Sequence, residues 1–332
     1  MTARVAINGL GRIGRATLKI VLDEPELELV AVNDIAPPEN LAYLLKYDTV
    51  YGRYEKTVET GDGSLVVDGQ SYQVLSQKDP ASLPWRDLQV DVVFECTGIF
   101  TTKEDLQKHI QAGARHAILS APEKGGGVST VVHGVNAADP DAEVISCASC
   151  TTNAITPVVE VMGRRIGVRK AIMTTVHAYT SSQAIVDGPA KKMRRGRAGA
   201  ANLVPTSTGA AIATAKALPQ YEGKFDGIAI RAPIPVGSIA DITFVTERAT
   251  SVDEVNTIFR EEAESNRYQG ILGVAEDPIV SADIIRDPRA SVVDLESTQV
   301  VDGDLVKVMS WYDNEWGYAA QMVREARRMA AS

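Results

Sequence analysis

The sequence is short of the features that mark secreted, membrane-spanning and nucleic-acid-binding proteins. Its 332 residues include three cysteines, too few for a disulfide framework. No stretch approaches the roughly 18 to 20 consecutive apolar residues of a membrane helix, and no basic leader with a long apolar run opens the chain. The formal net charge of -9 disfavours a general affinity for nucleic acid or acidic membrane surfaces. We therefore expect a protein of the reducing cytoplasm.

The chain is rich in apolar residues. Apolar residues make up 45% of the sequence, and the length is near that of two typical domains. This is enough to bury a full hydrophobic core, so disorder and small disulfide scaffolds are excluded. No internal repeat is present. We expect a folded protein of two domains.

The first half alternates buried-type strands with helices. Continuous runs of Val, Ile and Leu, separated by helix-sized segments, predict a parallel sheet covered on both faces. The predicted strands are residues 4–8, 27–32, 90–94, 117–119 and 144–146, and the first predicted helix is residues 15–22.

From about residue 150 the pattern changes. The apolar runs at 171–177, 227–232 and 239–246 are longer and closer together, which predicts a mostly antiparallel or mixed sheet. Ser251 and Glu254 form a capping box at the start of a predicted helix over 251–264. Apolar residues recur at helical spacing over 316–329. The fold class predicted is α/β, a doubly wound parallel sheet followed by an α+β domain.

A glycine-rich loop stands between the first strand and the first helix. Gly9, Gly11 and Gly14 form a Gly-x-Gly-x-x-Gly pattern, and Asp34 follows 20 positions after Gly14 at the end of the next strand. Such a glycine spacing also occurs in an ordinary tight turn. Its position between a strand and a helix, with an acidic residue after the next strand, is typical of dinucleotide binding. The glycines allow the backbone to approach a pyrophosphate at a helix N-terminus. The Asp34 carboxylate would bind ribose hydroxyls and repel a 2′-phosphate, which favours NAD over NADP.

Cys150 is the candidate nucleophile. It lies in a cluster of cap-type residues ahead of an apolar segment, which places its sulfur at a helix N-terminus where the dipole lowers a thiol pKa. Pro157 within that segment predicts a kink or a late helix start. The alternative, a buried cysteine that acts as a small hydrophobe, suits Cys96 better.

A thiol nucleophile needs a base, and the chain has four histidines. His109 and His116 have charged neighbours in or near a helix, so we expect them to be solvated. His177 ends a predicted strand and would project from it as a general base does. Spacing alone leaves open a structural, hydrogen-bonded role for His177.

Two further features have competing interpretations. Cys147 stands three residues before Cys150, a spacing that suits either a redox pair or a merely buried Cys147; with no second cysteine pair, we expect no metal site. Residues 191–197 contain five basic residues. This run is either a nucleic-acid patch or a solvated loop, and it lacks the interleaved aromatic residues of a stacking platform.

Four motifs together resemble those of the phosphorylating glyceraldehyde-3-phosphate dehydrogenase family, in the family's order and over essentially the whole chain. They are SCTTN at 149–153, HAYT at 177–180, PTSTGAA at 205–211 and WYDNEWGY at 311–318. The resemblance implies a Rossmann NAD-binding domain over 1–149, a catalytic domain over 150–315 and a C-terminal helix over 316–332 that packs back on the first domain. It also implies a cytoplasmic homotetramer.

The resemblance also implies the reaction and the residues that carry it. Cys150 attacks the aldehyde of glyceraldehyde 3-phosphate, His177 takes the thiol proton, and inorganic phosphate cleaves the resulting thioester. Phosphate-binding roles fall to Ser149, Thr151 and Thr208 for the attacking phosphate and to Thr180, Arg197 and Arg231 for the substrate phosphate, and Gly209 is a further phosphate-binding residue. The implied NAD-binding residues are Gly9, Gly11, Arg12, Ile13, Gly14, Asp34, Thr97, Ser120, Asn314 and Tyr318, with Asn314 on the nicotinamide carboxamide.

The chain departs from the family pattern at several positions. Family members commonly have Asn where Cys147 stands and Cys where Ala154 stands. Ala232 and Gly237 also differ, which bears on the local geometry of the phosphate site. A related activity, oxidation of erythrose 4-phosphate, is the alternative, although the residues after His177 favour glyceraldehyde 3-phosphate. A remote alternative of another class is an RNA-binding or scaffold protein.

Overall fold

The computed structural model describes residues 2–331, which form two compact units. The first unit runs to Val131 and includes Ala138–Ala148 and the chain from Ala319 onward. The second unit holds Val132–Ala137 and Ser149–Tyr318. No helix among the described residues is long and apolar enough to cross a membrane.

A mostly parallel sheet forms the centre of the first unit. Its strands are joined in the order β10-β11-β9-β8-β1-β2-β7-β6-β5, and only the pairs that involve β6 are antiparallel. The strands of this unit are β1 (Ala3–Asn8), β2 (Leu27–Asn33), β3 (Tyr47–Asp48), β4 (Gly52–Arg53), β5 (Val58–Gly61), β6 (Ser64–Val67), β7 (Gln70–Leu75), β8 (Val92–Glu95), β9 (His116–Leu119), β10 (Ser129–Thr130) and β11 (Val144–Ser146). Its helices are α1 (Arg12–Val21), α2 (Pro38–Lys46) and α3 (Lys103–Gln111).

The central strands of this sheet end together. Asn8 of β1 pairs in register with Asn33 of β2 on one side and with Glu95 of β8 on the other. From β1 the chain continues to β2 on one side of the sheet and later returns to β8 on the other side. In open parallel sheets, ligands bind beyond the carboxyl ends of the strands at such a point. The strands are buried nearly throughout, as their continuous apolar runs predicted. The Rossmann-type fold expected for this half is confirmed.

The second unit is built on a mixed sheet with the order β13-β14-β12-β15-β18-β17-β16. The pairs β12/β14 and β16/β17 are parallel and the others antiparallel, so the predicted mixed sheet is confirmed. Its strands are β12 (Val168–Ala178), β13 (Val204–Ser207), β14 (Phe225–Ala232), β15 (Ser238–Thr246), β16 (Leu272–Ala275), β17 (Ser291–Val301) and β18 (Leu305–Tyr312). Its helices are α4 (Cys150–Arg165), α5 (Ala210–Ala217) and α6 (Val252–Glu264), while α7 (Trp316–Ala330) begins here and continues into the first unit.

Helix α4 packs on one face of this sheet. Burial alternates along β15, and its inward residues Ile242 and Phe244 join a core with Ile155 and Met162 of α4. Continuous burial of α4 from Thr151 to Met162 fixes the start of this helix relative to the sheet. Since α4 begins at Cys150, the late start that Pro157 predicted does not occur.

Three other sequence expectations differ from the structure. Helix α1 begins at Arg12, three residues earlier than predicted, because the glycine loop turns directly into it. His109 is fully buried rather than solvated, since it lies on the face of α3 that covers the sheet. His116 is half-buried at the start of β9.

Helices α4 and α6 are joined by an ion-pair network. Glu262 is nearly buried and accepts hydrogen bonds from Arg164 at 2.7 Å and from Arg165 at 2.7 Å. The hydrogen bond from Arg164 is the main cause that lowers the pKa of the Glu262 carboxyl. Its charge therefore contributes stability above the unfolded carboxyl pKa of about 4.3, and this contribution is lost as the pH falls below that value.

We predict that Glu262→Gln lowers the free energy of unfolding by roughly 1 to 3 kcal/mol at pH 7, because two arginines lose their charged acceptor. The difference from the wild type should begin to shrink as the pH falls below about 4.3, where the unfolded wild-type carboxyl becomes protonated, and should disappear below the lowered pKa of the folded carboxyl. Urea unfolding at several pH values measures this. The exposed Glu264→Gln is the control, with a change within about 0.5 kcal/mol. A pH-independent difference would contradict the role of the Glu262 charge.

Candidate active site

The glycine loop lies at the carboxyl ends of β1 and β8 and borders a cleft of about 470 Å³. Gly9 has φ +94°, in the left-handed region, and a Cβ on Gly14 would lie 1.9 Å from the Gly9 carbonyl oxygen. Both positions therefore require glycine, which lets helix α1 start against the loop. Gly11 occupies the N-cap of α1 and has no side chain to cover the positive end of the helix. The cleft fits the pyrophosphate of a dinucleotide.

Asp34 lines the same cleft with its carboxylate held in place. One oxygen accepts from the Leu10 N–H at 2.7 Å and the other from the Ala36 N–H at 2.9 Å. These bonds fix a negative charge on the cleft wall, where a ribose would lie. Lys78 lines the cleft as well, so the wall carries one charge of each sign.

A buried polar cluster supports the cleft from below. The fully buried Glu95 accepts hydrogen bonds from the Asn8 side-chain amide, from the Thr97 backbone N–H at 2.8 Å and from the Thr97 hydroxyl. Its other contact is His109 Nε2 at 3.0 Å, and Trp85 Nε1–H donates to His109 Nδ1 at 3.0 Å. No local sequence pattern indicates this cluster, because its members come from four separate segments.

The remaining predicted cofactor residues lie in both units. Arg12 and Ile13 open α1, and Ser120 follows β9 with its N–H bonded to the Glu95 carbonyl. In the second unit, the Asn314 side-chain oxygen accepts from Ser238 Oγ at 2.9 Å and from the Gly237 N–H at 3.2 Å. Tyr318 is buried in the first turn of α7.

The backbone conformation and close packing at position 237 require a glycine. It has φ +93°, and a Cβ there would lie 2.2 Å from the Ser281 carbonyl oxygen. Its N–H orients Asn314. Ala232 is buried at the end of β14, in register with Ala178. These two departures from the family pattern therefore serve close packing around β14 and β15.

Cys150 and His177 are brought together by the second unit. Ser149 caps α4, its hydroxyl oxygen accepting from the Thr152 N–H at 3.1 Å, so Cys150 is the first residue of the helix. His177 lies near the carboxyl end of β12 and is 4% exposed. The Cys150 Sγ to His177 Nε2 distance is 3.3 Å. This is hydrogen-bond contact between a thiol and the nitrogen that would deprotonate it.

Burial dominates the electrostatics of this pair. It raises the pKa of the Cys150 thiol, although the Arg231 charge and hydrogen bonds at Thr151 act in the opposite direction. Burial, followed by the Arg231 charge, lowers the pKa of His177 to about 3. The helix dipole alone predicted a lowered thiol pKa, and that expectation was wrong, because desolvation outweighs it. Burial thus favours the neutral form of both groups.

Arg231 reaches His177 because β12 and β14 are parallel neighbours with these two residues in register. Its Nη1 lies 2.8 Å from His177 Nδ1 and donates to the Ala178 carbonyl oxygen at 2.8 Å. Arg231 is half-buried. A cation thus stands beside the nucleophile and base, where it would attract an anionic substrate group.

Tyr312 is a residue of the site that sequence reasoning missed. Its hydroxyl is buried and bonded to Thr151 Oγ1 at 2.9 Å and to Thr175 Oγ1 at 2.7 Å, and its ring meets His177 edge-on. Thr151, expected at the attacking phosphate, is only 4% exposed and directs its hydroxyl to this cluster. Tyr312 lies in the WYDNEWGY motif, and this motif is the sequence feature that could have indicated its place in the site.

The other predicted phosphate-binding residues lie on surrounding loops and helix starts. Thr208 Oγ1 accepts from the Ala210 N–H at 3.2 Å beside Gly209, the N-cap of α5. Thr180 Oγ1 is 2.8 Å from Ser182 Oγ. Arg197 is exposed and paired with Asp187 at 2.7 Å.

Arg195, which sequence reasoning did not select, belongs to the electrostatic surroundings of the pair. Its charge contributes to the lowered pKa of His177, after burial and Arg231. Its Nε donates to Thr206 Oγ1 at 3.1 Å. The structure thus places Arg195, rather than Arg197, among the cations that act on His177.

The other two cysteines are buried. Burial raises the pKa of Cys96 to about 12, as expected for a cysteine that packs as a hydrophobe. Burial also raises the pKa of Cys147 well above its ordinary value. A thiol that stays protonated is a poor partner for thiol exchange, which favours the buried interpretation of Cys147.

Comparison with known proteins agrees with this site. Family models match over residues 3–103, described as the NAD binding domain of glyceraldehyde 3-phosphate dehydrogenase, and over residues 149–314, described as its C-terminal domain. The chain belongs to the glyceraldehyde-3-phosphate dehydrogenase family. It is an NAD-dependent dehydrogenase, and the resemblance seen in the four sequence motifs is confirmed.

Similar proteins of this family come from several bacteria. The glyceraldehyde-3-phosphate dehydrogenase of Streptomyces coelicolor is 48% identical over 97% of both chains. That of Zymomonas mobilis is 45% identical over 99% of both chains. Glyceraldehyde-3-phosphate dehydrogenase 2 of Bacillus subtilis is 43% identical over 100% of this chain and 98% of its own. Family membership therefore extends over the full chain.

We predict that the wild type prefers NAD and that Asp34→Ala raises its relative efficiency with NADP by on the order of 10- to 100-fold, because a repulsion of about 1.4 to 2.8 kcal/mol is removed. The measurement is the ratio of kcat/KM for the two cofactors. Asp62→Ala, an exposed acid of the same unit, is the control. Equal efficiencies in the wild type would refute the repulsion by Asp34.

Proposed function

We propose that the protein oxidises D-glyceraldehyde 3-phosphate to 1,3-bisphosphoglycerate with NAD and inorganic phosphate, through a thioester on Cys150. The observation that carries this proposal is the 3.3 Å contact between Cys150 Sγ and His177 Nε2 at the start of α4. The family comparison supports the aldehyde substrate and NAD.

The chemistry follows from the two side chains. The Cys150 sulfur attacks the aldehyde carbon while His177 Nε2 accepts the thiol proton, and the resulting imidazolium donates a hydrogen bond to the hemithioacetal oxygen. NAD, when bound, supplies the acceptor for a hydride. A phosphate oxygen then attacks the thioester carbon, and the Cys150 sulfur leaves, which yields an acyl phosphate. A reduced thiol is needed throughout, which supports a cytoplasmic location.

Cations and hydroxyls around the pair suit two phosphates. Arg231 and Arg195 both act electrostatically at His177, and Thr180 and Thr208 present hydroxyl groups on nearby loops of the same unit. Guanidinium forks and short hydroxyls are suited to phosphate oxygens. We assign the substrate phosphate to Arg231 and Thr180, and the attacking phosphate to Ser149, Thr208 and Gly209. Arg195 takes the role first expected of Arg197.

We expect Cys150→Ser to abolish dehydrogenase activity and to leave NAD binding intact, because a serine hydroxyl is not ionised at neutral pH. His177→Asn should retain a slow reaction, lowered by about 100-fold to 10,000-fold. His133→Asn is the matched control and should retain wild-type turnover. Wild-type turnover in the His177 variant would show that His177 is not the general base.

The substrate is tested by NADH formation from glyceraldehyde 3-phosphate, with and without inorganic phosphate, in parallel with erythrose 4-phosphate. We expect sustained turnover with glyceraldehyde 3-phosphate only when phosphate is present. A higher kcat/KM with erythrose 4-phosphate than with glyceraldehyde 3-phosphate would show that the proposed substrate is wrong. No turnover with either aldehyde would favour the alternative of a scaffold or RNA-binding protein.

We further propose a homotetramer. The face of the second-unit sheet opposite α4 carries apolar side chains that are unusually exposed, with Ile172 at 63% and Ile228 at 52%. The loop over residues 184–203 adds Ile185 at 89% and Met193 at 88%. Exposed apolar side chains of this number support contacts with further copies of the chain.

We predict a mass in solution of four chains by multi-angle light scattering. Ile172→Lys should shift the distribution to smaller species, because it places a charge in an apolar interface. Val280→Lys, at an exposed position of another loop, is the control and should leave the mass unchanged. A monomeric wild type at micromolar concentration would contradict the proposal.

A further inference from the structure

Two segments on opposite sides of β1 and β2 line the cofactor cleft. The order of the sheet is β8-β1-β2-β7, and the segments that follow β8 and β7 both border the cleft. The first contributes Thr97, Ile99 and Phe100, and the second contributes Gln77 and Lys78. The width of the cleft therefore depends on what holds these two segments in place.

Hydrogen bonds between buried side chains join the two segments. The Gln77 N–H donates to the Asn33 side-chain oxygen at 2.8 Å, and Asn33 Nδ2 donates to the Gln77 carbonyl oxygen at 3.0 Å and to Asn8 Oδ1 at 2.7 Å. Asn8 Nδ2 donates to Glu95 Oε2 at 2.6 Å, and the Thr97 N–H donates to Glu95 Oε1 at 2.8 Å. The set that we call the Glu95 network comprises Asn8, Asn33, Gln77, Trp85, Glu95, Thr97 and His109.

Backbone groups fix the direction of the bonds on the Asn33 side of this network. The Gln77 N–H can only donate and the Gln77 carbonyl can only accept, so the Asn33 amide has one possible orientation. Asn33 therefore presents an N–H to Asn8. Asn8 must then present its oxygen to Asn33 and its own N–H to Glu95, so the direction is set from the Gln77 backbone as far as the carboxylate.

The indole of Trp85 fixes the other end of the network. Trp85 Nε1–H can only donate, and it lies 3.0 Å from His109 Nδ1. A hydrogen on Nδ1 would face the indole hydrogen, so His109 is neutral with its hydrogen on Nε2. That Nε2–H donates to Glu95 Oε2 at 3.0 Å. Since His109 and Glu95 have no exposed surface, bulk solvent cannot replace this bond.

Every hydrogen-bond partner of the Glu95 side chain is consequently a donor. One oxygen accepts from Asn8 and His109, and the other accepts from the N–H and the hydroxyl of Thr97. The Ile99 N–H donates to the same hydroxyl oxygen at 3.1 Å, which leaves the hydroxyl hydrogen for Glu95. A carboxylate satisfies all four donors, whereas an amide of the same shape would turn its N–H groups toward two of them.

The Glu95 network also supports the glycine loop. A Cβ on Gly9 would lie 2.8 Å from both the N and the Cα atoms of Thr97, so the loop rests on the backbone that Glu95 holds. The Gly9 N–H donates to the Asn33 carbonyl oxygen at 2.8 Å. Displacement of Thr97 or Asn33 would therefore move the glycine loop as well.

We propose that Glu95 is a positioning residue for the cofactor. Through Thr97 and Asn8 it holds both sides of the cleft and the glycine loop at the spacing that NAD requires, and His109 in turn holds Glu95. The effect falls on the adenosine and pyrophosphate portion of NAD, because Asp34 and the glycine loop border the same cleft. This inference goes beyond the proposed function and does not depend on which aldehyde is oxidised.

The test is calorimetric titration of the cofactor-free, full-length protein with NAD and with ADP-ribose, which lacks the nicotinamide. We expect Glu95→Gln to raise the Kd of both ligands by the same factor, about 10- to 100-fold, because two donors lose their acceptor. At saturating NAD, kcat should stay within about threefold of the wild type, while the KM for NAD rises with the Kd. Glu59→Gln, at an exposed position of the same unit, is the control and should bind as the wild type.

Two variants at His109 separate hydrogen bonding from packing, and they test the proposal even if Glu95→Gln does not fold. His109→Gln keeps a donor for Glu95 and an acceptor for Trp85, whereas His109→Met fills the space with an apolar side chain. We expect ADP-ribose to bind His109→Gln within about threefold of the wild type and His109→Met about tenfold or more weakly. A role in core packing alone would give the opposite order, because Met suits an apolar core.

Wild-type affinity for ADP-ribose in folded Glu95→Gln would overturn the inference. So would a Kd that rises for NAD but not for ADP-ribose, or ADP-ribose binding to His109→Met that is as tight as binding to His109→Gln. Alkylation of Cys150 by iodoacetamide without cofactor should proceed at the wild-type rate in every variant, because Cys150 belongs to the second unit. A large change in that rate would show a general loss of structure and would contradict the positioning role.

Discussion

The contact between Cys150 and His177 depends on where two elements of the second unit end. Helix α4 starts at Cys150 because Ser149 caps it, and β12 presents His177 near its carboxyl end. The core between α4 and β15 sets the offset of helix and sheet, so the sulfur and the imidazole meet at 3.3 Å. Because both residues sit on regular elements, their geometry is as rigid as the core beneath them.

Burial and the Arg231 charge act in opposite directions on the pKa of the Cys150 thiol and in the same direction on the pKa of His177. Burial keeps the thiol and the imidazole neutral, while Arg231 lowers the thiol pKa and further lowers that of His177. A resting site of this kind protects the thiol from indiscriminate reaction with oxidants, since the thiolate is the reactive form.

Much of the fold and the centre of the site could be predicted from the sequence. The parallel and mixed sheets follow from continuous and longer apolar runs, and Cys150 and His177 follow from a cap-rich segment and a strand end. Local sequence patterns could not predict the contacts between segments that are distant in the chain. The burial of His109 against Glu95 depends on how α3 covers the sheet, and the effect of Arg195 on the pKa of His177 depends on the path of an irregular loop.

The central claim is that Cys150 carries an acyl group that only phosphate removes. The direct measurement is the mass of the Cys150 peptide after wild-type protein is mixed with glyceraldehyde 3-phosphate and NAD. Without phosphate, the account predicts one NADH per site and an acyl adduct on Cys150, and addition of phosphate should discharge the adduct and restore turnover. Sustained NADH formation without phosphate, or an adduct on Cys96 or Cys147 instead, would contradict it.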